Sequence, residues 1–547
     1  MKRTHSIAIC IIISLCLALP AKAQVKFQKA FSDSFRTNIS DIRLLDNGNY
    51  LLGGKREAPS GSTSGGWLFL EVNQYGEEVV GEAYGIIGNG KEYVNDLFPT
   101  DSGWVGIGRI SPALGGINDD IGIAKFNSDF TATDWTYAVG GTGNDLARRG
   151  VALAGGGYAA SAWTTSYGTG WNAYVVKVDA DGSTGWNVVI GGSSTDKAWG
   201  LEATPDSGCI VGGAYLSSAA VGEDMLLVKL DKNGTIEWHN KYNGEFNEDV
   251  YDIINTLDGG YAFTGVIRNS NGASNHDVLL VKVDASGAVE WAKGAGGTAD
   301  DYGEQLIQLA DSSFVVVGRT KSFGAGNWDA YLMKADKDGN YQWGKAYGQS
   351  DIDRGTVVRQ TPDGGFLVGG NTKNLGSSSV DALLVKTDAS GNSGCHEASG
   401  GSAWNITLTT STGIATTIGS SNTTWGSFGV TALGDSVGCN NYYGMTCDSA
   451  GIIPDSNQIV TAYTNDTVMW FRFTALDDSL IIVVNATDDL SIEHGLDSFK
   501  IFYGECDNYQ PLGGKSNYLN LQGSRQFVRN TGFIPDSSYY IKCFFNK

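Results

Sequence analysis

Five aromatic residues stand in or beside short polar stretches of this chain: Trp67, Tyr167, Trp171, Phe323 and Trp328, among Gly, Ser, Asn and Asp. Exposed rings flanked by hydrogen-bonding groups suit stacking on sugar faces or capture of a peptide, because both ligands are amphipathic. The competing reading is that these rings cover the ends of packed strands. Catalysis has fewer candidates. Beyond the first 23 residues the histidines are His239, His276, His396 and His494, and none forms a His-Glu-x-x-His spacing or follows a Gly-x-Ser-x-Gly elbow.

Carboxylates are plentiful, but they recur. Asp120, Asp224, Asp277, Asp329 and Asp381 share one position of an internal repeat, where two other copies carry Asn172 and Gly66. Asp145, Asp196, Asp249 and Asp301 share another. A catalytic pair should break the symmetry of a repeat, whereas an Asp that satisfies loop N–H groups should return in most copies. No catalytic residue is therefore assigned. Asp179-Ala-Asp181-Gly182, Asp231-Lys-Asn233-Gly234 and Asp336-Lys-Asp338-Gly339 open like calcium loops but lack the Gly-x5-Glu remainder. As hairpin turns they need no ion. Calcium is the one cofactor the composition leaves open, and none is assigned. Lys177, Lys229, Lys282, Lys334 and Lys386 also repeat, and are expected to pair with neighbouring Asp.

The elements that carry these residues follow from the repeat. Trp135, Trp186, Trp238, Trp291 and Trp343 lie 51 to 53 residues apart, and Gly182, Gly234, Gly287, Gly339 and Gly391 keep the same period. Tyr50, Trp104, Tyr158, Cys209, Tyr261, Phe314 and Phe366 mark seven copies. Cys209 takes an aromatic position and reads as a small buried hydrophobe. Each copy holds four strand signals, dense in Val, Leu, Phe and Tyr and joined by Gly-rich turns. Four strands in about 50 residues is one propeller blade. The seventh copy lacks its Trp strand, and Val25 to Phe31 resembles the missing piece, so the N-terminal strand is expected to close the ring. The fold class is all-β: a seven-bladed propeller over 24–395. The loops between second and third strands vary most, and in propeller topology they share one face with the Gly-Gly-x-x-x-Asp connections. The five aromatics belong to that face.

Residues 1–23 read as a signal peptide: Lys2 and Arg3, an apolar run from Ile7 to Leu19, then Ala21-Lys22-Ala23. No later run is long enough to span a membrane as a helix. With a formal charge of −21, nucleic acid and anionic membranes are poor partners. The expected protein is a secreted monomer, extracellular, at the cell surface or periplasmic.

The pattern Asp-Gly-Gly-Tyr…Gly…Asp-x-Leu-Leu-Val-Lys-x-Asp-x-x-Gly…Trp…Gly-Gly resembles secreted bacterial β-propeller repeat proteins, often found with type IX secretion sorting domains. That resemblance spans residues 25 to about 395 and implies architecture rather than activity. It further implies that the Thr/Ser-rich stretch 396–439 is a cysteine-bounded extension, with a Cys395–Cys439 disulfide. A flexible linker with each cysteine paired elsewhere is the alternative.

From 440 to 547 the strand signals Val468–Ala475, Leu480–Val484, Phe499–Tyr503 and Tyr539–Phe545 resemble the pre-peptidase C-terminal β-sandwich, an accessory module of jelly-roll kind. No type IX sorting domain follows them. The expected function is non-enzymatic binding or scaffolding, recognising a glycan or an extracellular protein through the propeller's loop face. The alternative is a carbohydrate-active enzyme, a hydrolase or lyase, using acidic residues at the mouth.

Overall fold

In a computed structural model, the described residues run from 25 to 411 apart from 32–35, 58–65, 86–91, 112–117, 192–194, 217–221, 245–247, 269–274, 374–379 and 395. Beyond 411 they comprise strands at 424–426, 431–432, 451–452, 468–474, 479–484, 496–503, 510–511, 526–531 and 538–545. Residues 1–23, read above as a signal peptide, lie outside them, as do Cys395 and Cys439.

The chain forms a seven-bladed β-propeller. Each blade is an antiparallel sheet whose strands follow chain order from the inside outward. The inner strands are Arg36–Leu44, Tyr93–Thr100, Asp145–Ala152, Asp196–Ala203, Glu248–Asn255, Asp301–Gln308 and Asp353–Gln360, for blades 1 to 7. Each touches the inner strand of the next blade, and that of blade 7 touches that of blade 1. They are therefore the wall of a central channel. Blade 7 is completed by Phe27–Phe31, which pairs antiparallel with Asp381–Lys386.

One contact explains why the repeat keeps its Trp and Gly in step. Gly182, Gly234, Gly287, Gly339 and Gly391 hold φ between 75° and 82° in the turn after each third strand. A Cβ there would strike the Trp of the preceding blade: Trp135, Trp186, Trp238, Trp291 and Trp343 in turn. The glycine supplies both a left-handed turn and a flat seat for the indole. Phe27 occupies the same seat on Gly76 of blade 1, so the N-terminal strand supplies the blade 7–blade 1 contact as well as completing the sheet.

The repeated charges prove structural in placement. Lys229 bridges Asp206 (2.7 Å) and Glu237 (2.9 Å), Lys282 bridges Asp258 and Glu290, and Lys386 meets Asp363 at 2.8 Å. In the hairpin turns, Asp231 accepts the N–H groups of Asn233 and Thr235, and Asp336 those of Asp338 and Asn340. Cys209 is fully buried and uncrosslinked, and burial raises its thiol to about 12.

The stretch after the propeller runs back around its rim. Glu397–Ser399 pairs with the end of blade 6's outer strand, Ser402–Asn405 with blade 5's, and Thr409–Ser411 with blade 4's. Thr424–Gly426 then pairs with blade 2's and Thr431–Ala432 with blade 1's. These are short fifth strands, added in reverse blade order to the edges that a propeller leaves open. The carbonyl of Gly400 accepts hydrogen bonds from Tyr331 (3.1 Å) and Tyr341 (2.7 Å). Trp404 lies against Gly294, where a Cβ would collide with its ring, and Ile406 and Leu408 pack on the apolar cluster beneath Trp238 and Val289.

At the C-terminus, Gly451–Ile452, Val468–Thr474, Ser538–Phe545, Leu496–Tyr503 and Gln510–Pro511 form one sheet in that order. Ser479–Val484 pairs with Gln526–Thr531.

Candidate functional site: an aromatic and cationic channel mouth

Every inner strand carries a β-bulge at the same place, opposite its neighbour in the blade. The extra residue is Ser40, Asn95, Arg148, Trp199, Tyr251, Glu304 and Thr356 in blades 1 to 7. A bulge leaves its residue unpaired and re-aims the side chain. The bulge residues of blades 3 to 5 meet side by side along the channel wall. The Arg148 guanidinium lies 4.5 Å from the Trp199 ring centre, and Trp199 meets Tyr251 edge to face at 5.1 Å. The charge of Glu304 in turn reaches Tyr251.

The residue after each bulge is structural. Asp41 accepts the N–H of Leu97, Asp96 that of Gly150, Asp252 that of Leu306 and Gln305 that of Val358, each reaching a neighbouring blade. Arg149 lies between Asp96 (3.8 Å) and Asp252 (3.6 Å), and Arg359 meets Asp41 at 2.6 Å. Arg43, 2.7 Å from Asp41, and Arg359 hold the Asp41 carboxyl below its usual range against the cost of burial.

Between this network and solvent lies the mouth. Trp163 meets Trp199 at 4.3 Å and 82°, and Trp171 meets Trp163 at 6.1 Å. Across the opening, Tyr302 meets Trp328 at 5.6 Å and His276 at 5.4 Å. Arg319 lies over Tyr302 and Trp328 and pairs with Glu304 at 2.6 Å, while Lys321 lies 4.3 Å from the Trp328 ring centre. Lys197 bridges Glu223 (2.6 Å) and Asp249 (3.4 Å). Burial, the largest influence, pushes Asp249 up to about 7 despite Lys197, and the Trp199 indole faces its carboxylate without closing a full hydrogen bond.

The five aromatics singled out from sequence separate here. Trp171 and Trp328 belong to the mouth, on opposite sides. Trp67 is 3% exposed, with its ring on Phe69 and Phe126 and its N–H donated to the Arg109 carbonyl, so it offers no face to a ligand. Tyr167 donates to the Gly140 carbonyl and packs on Tyr174. Phe323 stacks on Tyr331 beneath Gly400 of the rim stretch. Trp163, Trp199, Tyr251 and Tyr302 were missed because they sit in strands rather than loops.

The recurrent carboxylates also find their places. Glu248, not Asp249, matches Asp145, Asp196 and Asp301 in register; Asp249 is displaced by one residue, into the mouth. Asp120 and Asp145 crowd Gly140 from adjacent blades, as Asp277 and Asp301 crowd Gly296, and Asp329 and Asp353 crowd Gly348. Asp145 accepts from the Gly141 N–H (2.9 Å) and Ser166 hydroxyl (2.5 Å). Burial first, then the charges of Asp145 and Asp119, raise Asp120 to about 7, and burial chiefly raises Asp353 to about 6.

A carboxyl raised on folding favours the folded state below its unfolded pKa and loses that contribution as pH rises through the folded value. The propeller is therefore expected to melt higher at pH 5 than at pH 8. The opposite trend sets in only at lower pH, because Lys229 and Lys282 hold Asp206 and Asp258 at about 2. Asp120→Asn should raise the melting temperature at pH 8, a gain of at least about 1 kcal/mol in stability, since holding this carboxylate ionised costs about 1.4 kcal/mol for each pKa unit by which folding raises it. Blade 3 already carries Asn172 at this position, facing Asp196. Calorimetric melts at both pH values check this; an unchanged or lower melting point of Asp120→Asn at pH 8 would refute it.

The fold and this mouth define a β-propeller whose channel opens through a ring of aromatic and charged side chains. No family model matches the chain. The regulatory protein FlaEY of Caulobacter vibrioides is 27% identical over 139 residues, which span 22% of this chain and 15% of FlaEY. Sqt1 from Chaetomium thermophilum is similar in structure at 10% identity and a TM-score of 0.34, over 66% of this chain and 100% of its own. A protein of unknown function from Dyadobacter fermentans is similar at 9% identity and a TM-score of 0.36, over 67% of this chain and 99% of its own. Likenesses of this degree carry no functional argument.

Proposed function

We propose that the protein is a secreted, monomeric, non-enzymatic carbohydrate-binding propeller whose channel mouth takes a glycan chain. The observation that carries this reading is the run of rings Trp171, Trp163, Trp199 and Tyr251, with Tyr302 and Trp328 across the opening. Sugar rings present C–H faces that stack on aromatic faces, and their hydroxyls need the polar neighbours found here, such as Lys197, Asp249 and Glu304. The basic start of the chain and its Ala-Lys-Ala site support export, with the type IX route as one candidate. The C-terminal sheets fit an accessory sandwich.

Cleavage of the bound glycan is the second reading, favoured by one observation. Asp249 breaks the repeat, lines the mouth and holds its proton to about 7, the range of a general acid. A glycan array probed with the wild type, Trp171→Ala and Trp328→Ala tests the binding reading. Loss of signal in at least one variant is expected, and unchanged binding in both would remove the proposed surface. Release of reducing ends from a bound glycan would replace binding by cleavage.

A further inference from the structure

We propose that the blade 3–blade 4 side of the mouth is a subsite for an acidic sugar, with Arg148 as the anchor for its anionic group. This rests on the glycan reading above. Trp163 and Trp199 meet at 82° and form a corner. The guanidinium of Arg148 sits in it, 3.9 Å from one ring centre and 4.5 Å from the other. The bulge in the inner strand puts Arg148 there, because the register shifts between Ala147 and Arg149.

Among the described residues Arg148 has no anionic partner, although the chain carries a formal charge of −21. Arg354 of blade 7 shares that lack, with a buried Nε that has no acceptor, but the charge of Glu304 reaches it. The other channel cations are paired. Arg149 has Asp96 and Asp252, Arg359 has Asp41, Arg319 has Glu304, and Lys197 has Glu223 and Asp249. Arg148 makes no hydrogen bond or ion pair among the described residues, and its buried Nε has no acceptor. Burial weighs on it most, and the titratable groups that influence it are the Tyr93 phenol and a second cation, Arg109. An arginine stays protonated in proteins, so it cannot relieve this by losing charge. A cation removed from water without a partner is costly, and an anion arriving from solvent is the missing counterpart. The guanidinium fork matches a carboxylate or a sulfate ester two bonds at a time. Indoles on both sides supply stacking surface for the ring that bears it, and Trp171 and Tyr251 extend that surface for neighbouring sugars. A polymer of acidic sugars fits this arrangement better than a lone small anion, which would leave the rings unused.

Isothermal titration of the full mature chain with three probes tests the proposal: an oligogalacturonide, its methyl ester and a sulfated galactan oligosaccharide. The methyl ester keeps the backbone and removes the charge. At least one acidic probe is expected to bind about tenfold or more tightly than the ester. Arg148→Gln should erase that difference, and Arg148→Lys should restore part of it by keeping the charge without the fork. The two acidic probes show whether carboxylate or sulfate is preferred. Equal affinity for ester and acids, or an acid preference that survives in Arg148→Gln of wild-type melting temperature, would overturn the subsite. So would the binding of neither acidic probe. If neither acidic probe binds while a neutral glycan does, the acidic subsite fails and the wider glycan reading stands.

Discussion

Phe27→Ala/Phe31→Ala is expected to open the propeller ring and to cost several kcal/mol of stability. Both rings are buried, at 9% and 6% exposure, in the cluster of Ile39, Ile42, Tyr50, Leu52 and Leu384 that joins blade 7 to blade 1. A buried Phe→Ala replacement costs about 3–5 kcal/mol, and whole domains are stable by about 5–15 kcal/mol. Phe27 also fills the seat on Gly76 that a Trp fills between other blades. Its loss therefore breaks one inter-blade contact as well as one sheet. The strand keeps its backbone ladder to Asp381–Lys386, the Thr37 hydroxyl on the Phe31 carbonyl (3.1 Å), and the contacts of Gln28 with Ser393 (2.9 Å) and Lys26 with Asp388 (3.5 Å). Urea unfolding followed by tryptophan fluorescence should show a large fall in midpoint, with early trypsin cleavage in blades 7 and 1. A midpoint within error of wild type would show that the ring is held elsewhere.

The rim stretch bears on the same question. By pairing with outer strands of blades 6, 5, 4, 2 and 1, it links blades that are otherwise joined only to their neighbours. It also covers strand edges that would template association with another chain.

The blades were legible in the sequence because every copy solves one packing problem with the same residues. Trp and turn Gly recur together because each is the other's contact surface, as with Trp291 and Gly339. The closing strand was legible for the same reason, as the complement of an incomplete copy. The mouth was not. A bulge adds a residue and shifts the side-chain alternation, so strand periodicity alone does not reveal that Arg148, Trp199 and Tyr251 share a ring. A signal existed all the same. The column Ser40, Asn95, Arg148, Trp199, Tyr251, Glu304, Thr356 has no residue type in common between any two copies, while the column before it holds only Ile, Val, Ala or Gly. Reading Asp249 as one of the recurrent carboxylates hid its departure from the pattern; Glu248 takes that role. The rim strands escaped because three-residue strands leave no periodicity, and only Trp404, Ile406 and Leu408 alternate.

Trp199 is where the central claim is most exposed. It contacts Trp163, Tyr251 and Arg148, so its loss removes a stacking face and loosens the two beside it. Aromatic contacts of this kind are worth about 0.5–1.5 kcal/mol beyond the area they bury, and burying a large apolar side chain adds about 1.5–3 kcal/mol. Trp199→Ala should therefore weaken glycan binding by about ten- to a hundredfold. The ring borders an open mouth rather than a blade interior, so melting temperature should change little. The direct measurement is isothermal titration of the glycan that binds best, against wild type and Trp199→Ala at one salt concentration. A dissociation constant raised at least tenfold with the fold intact is the expected result. An unchanged dissociation constant in a folded Trp199→Ala protein would contradict the account and move the binding surface away from the channel.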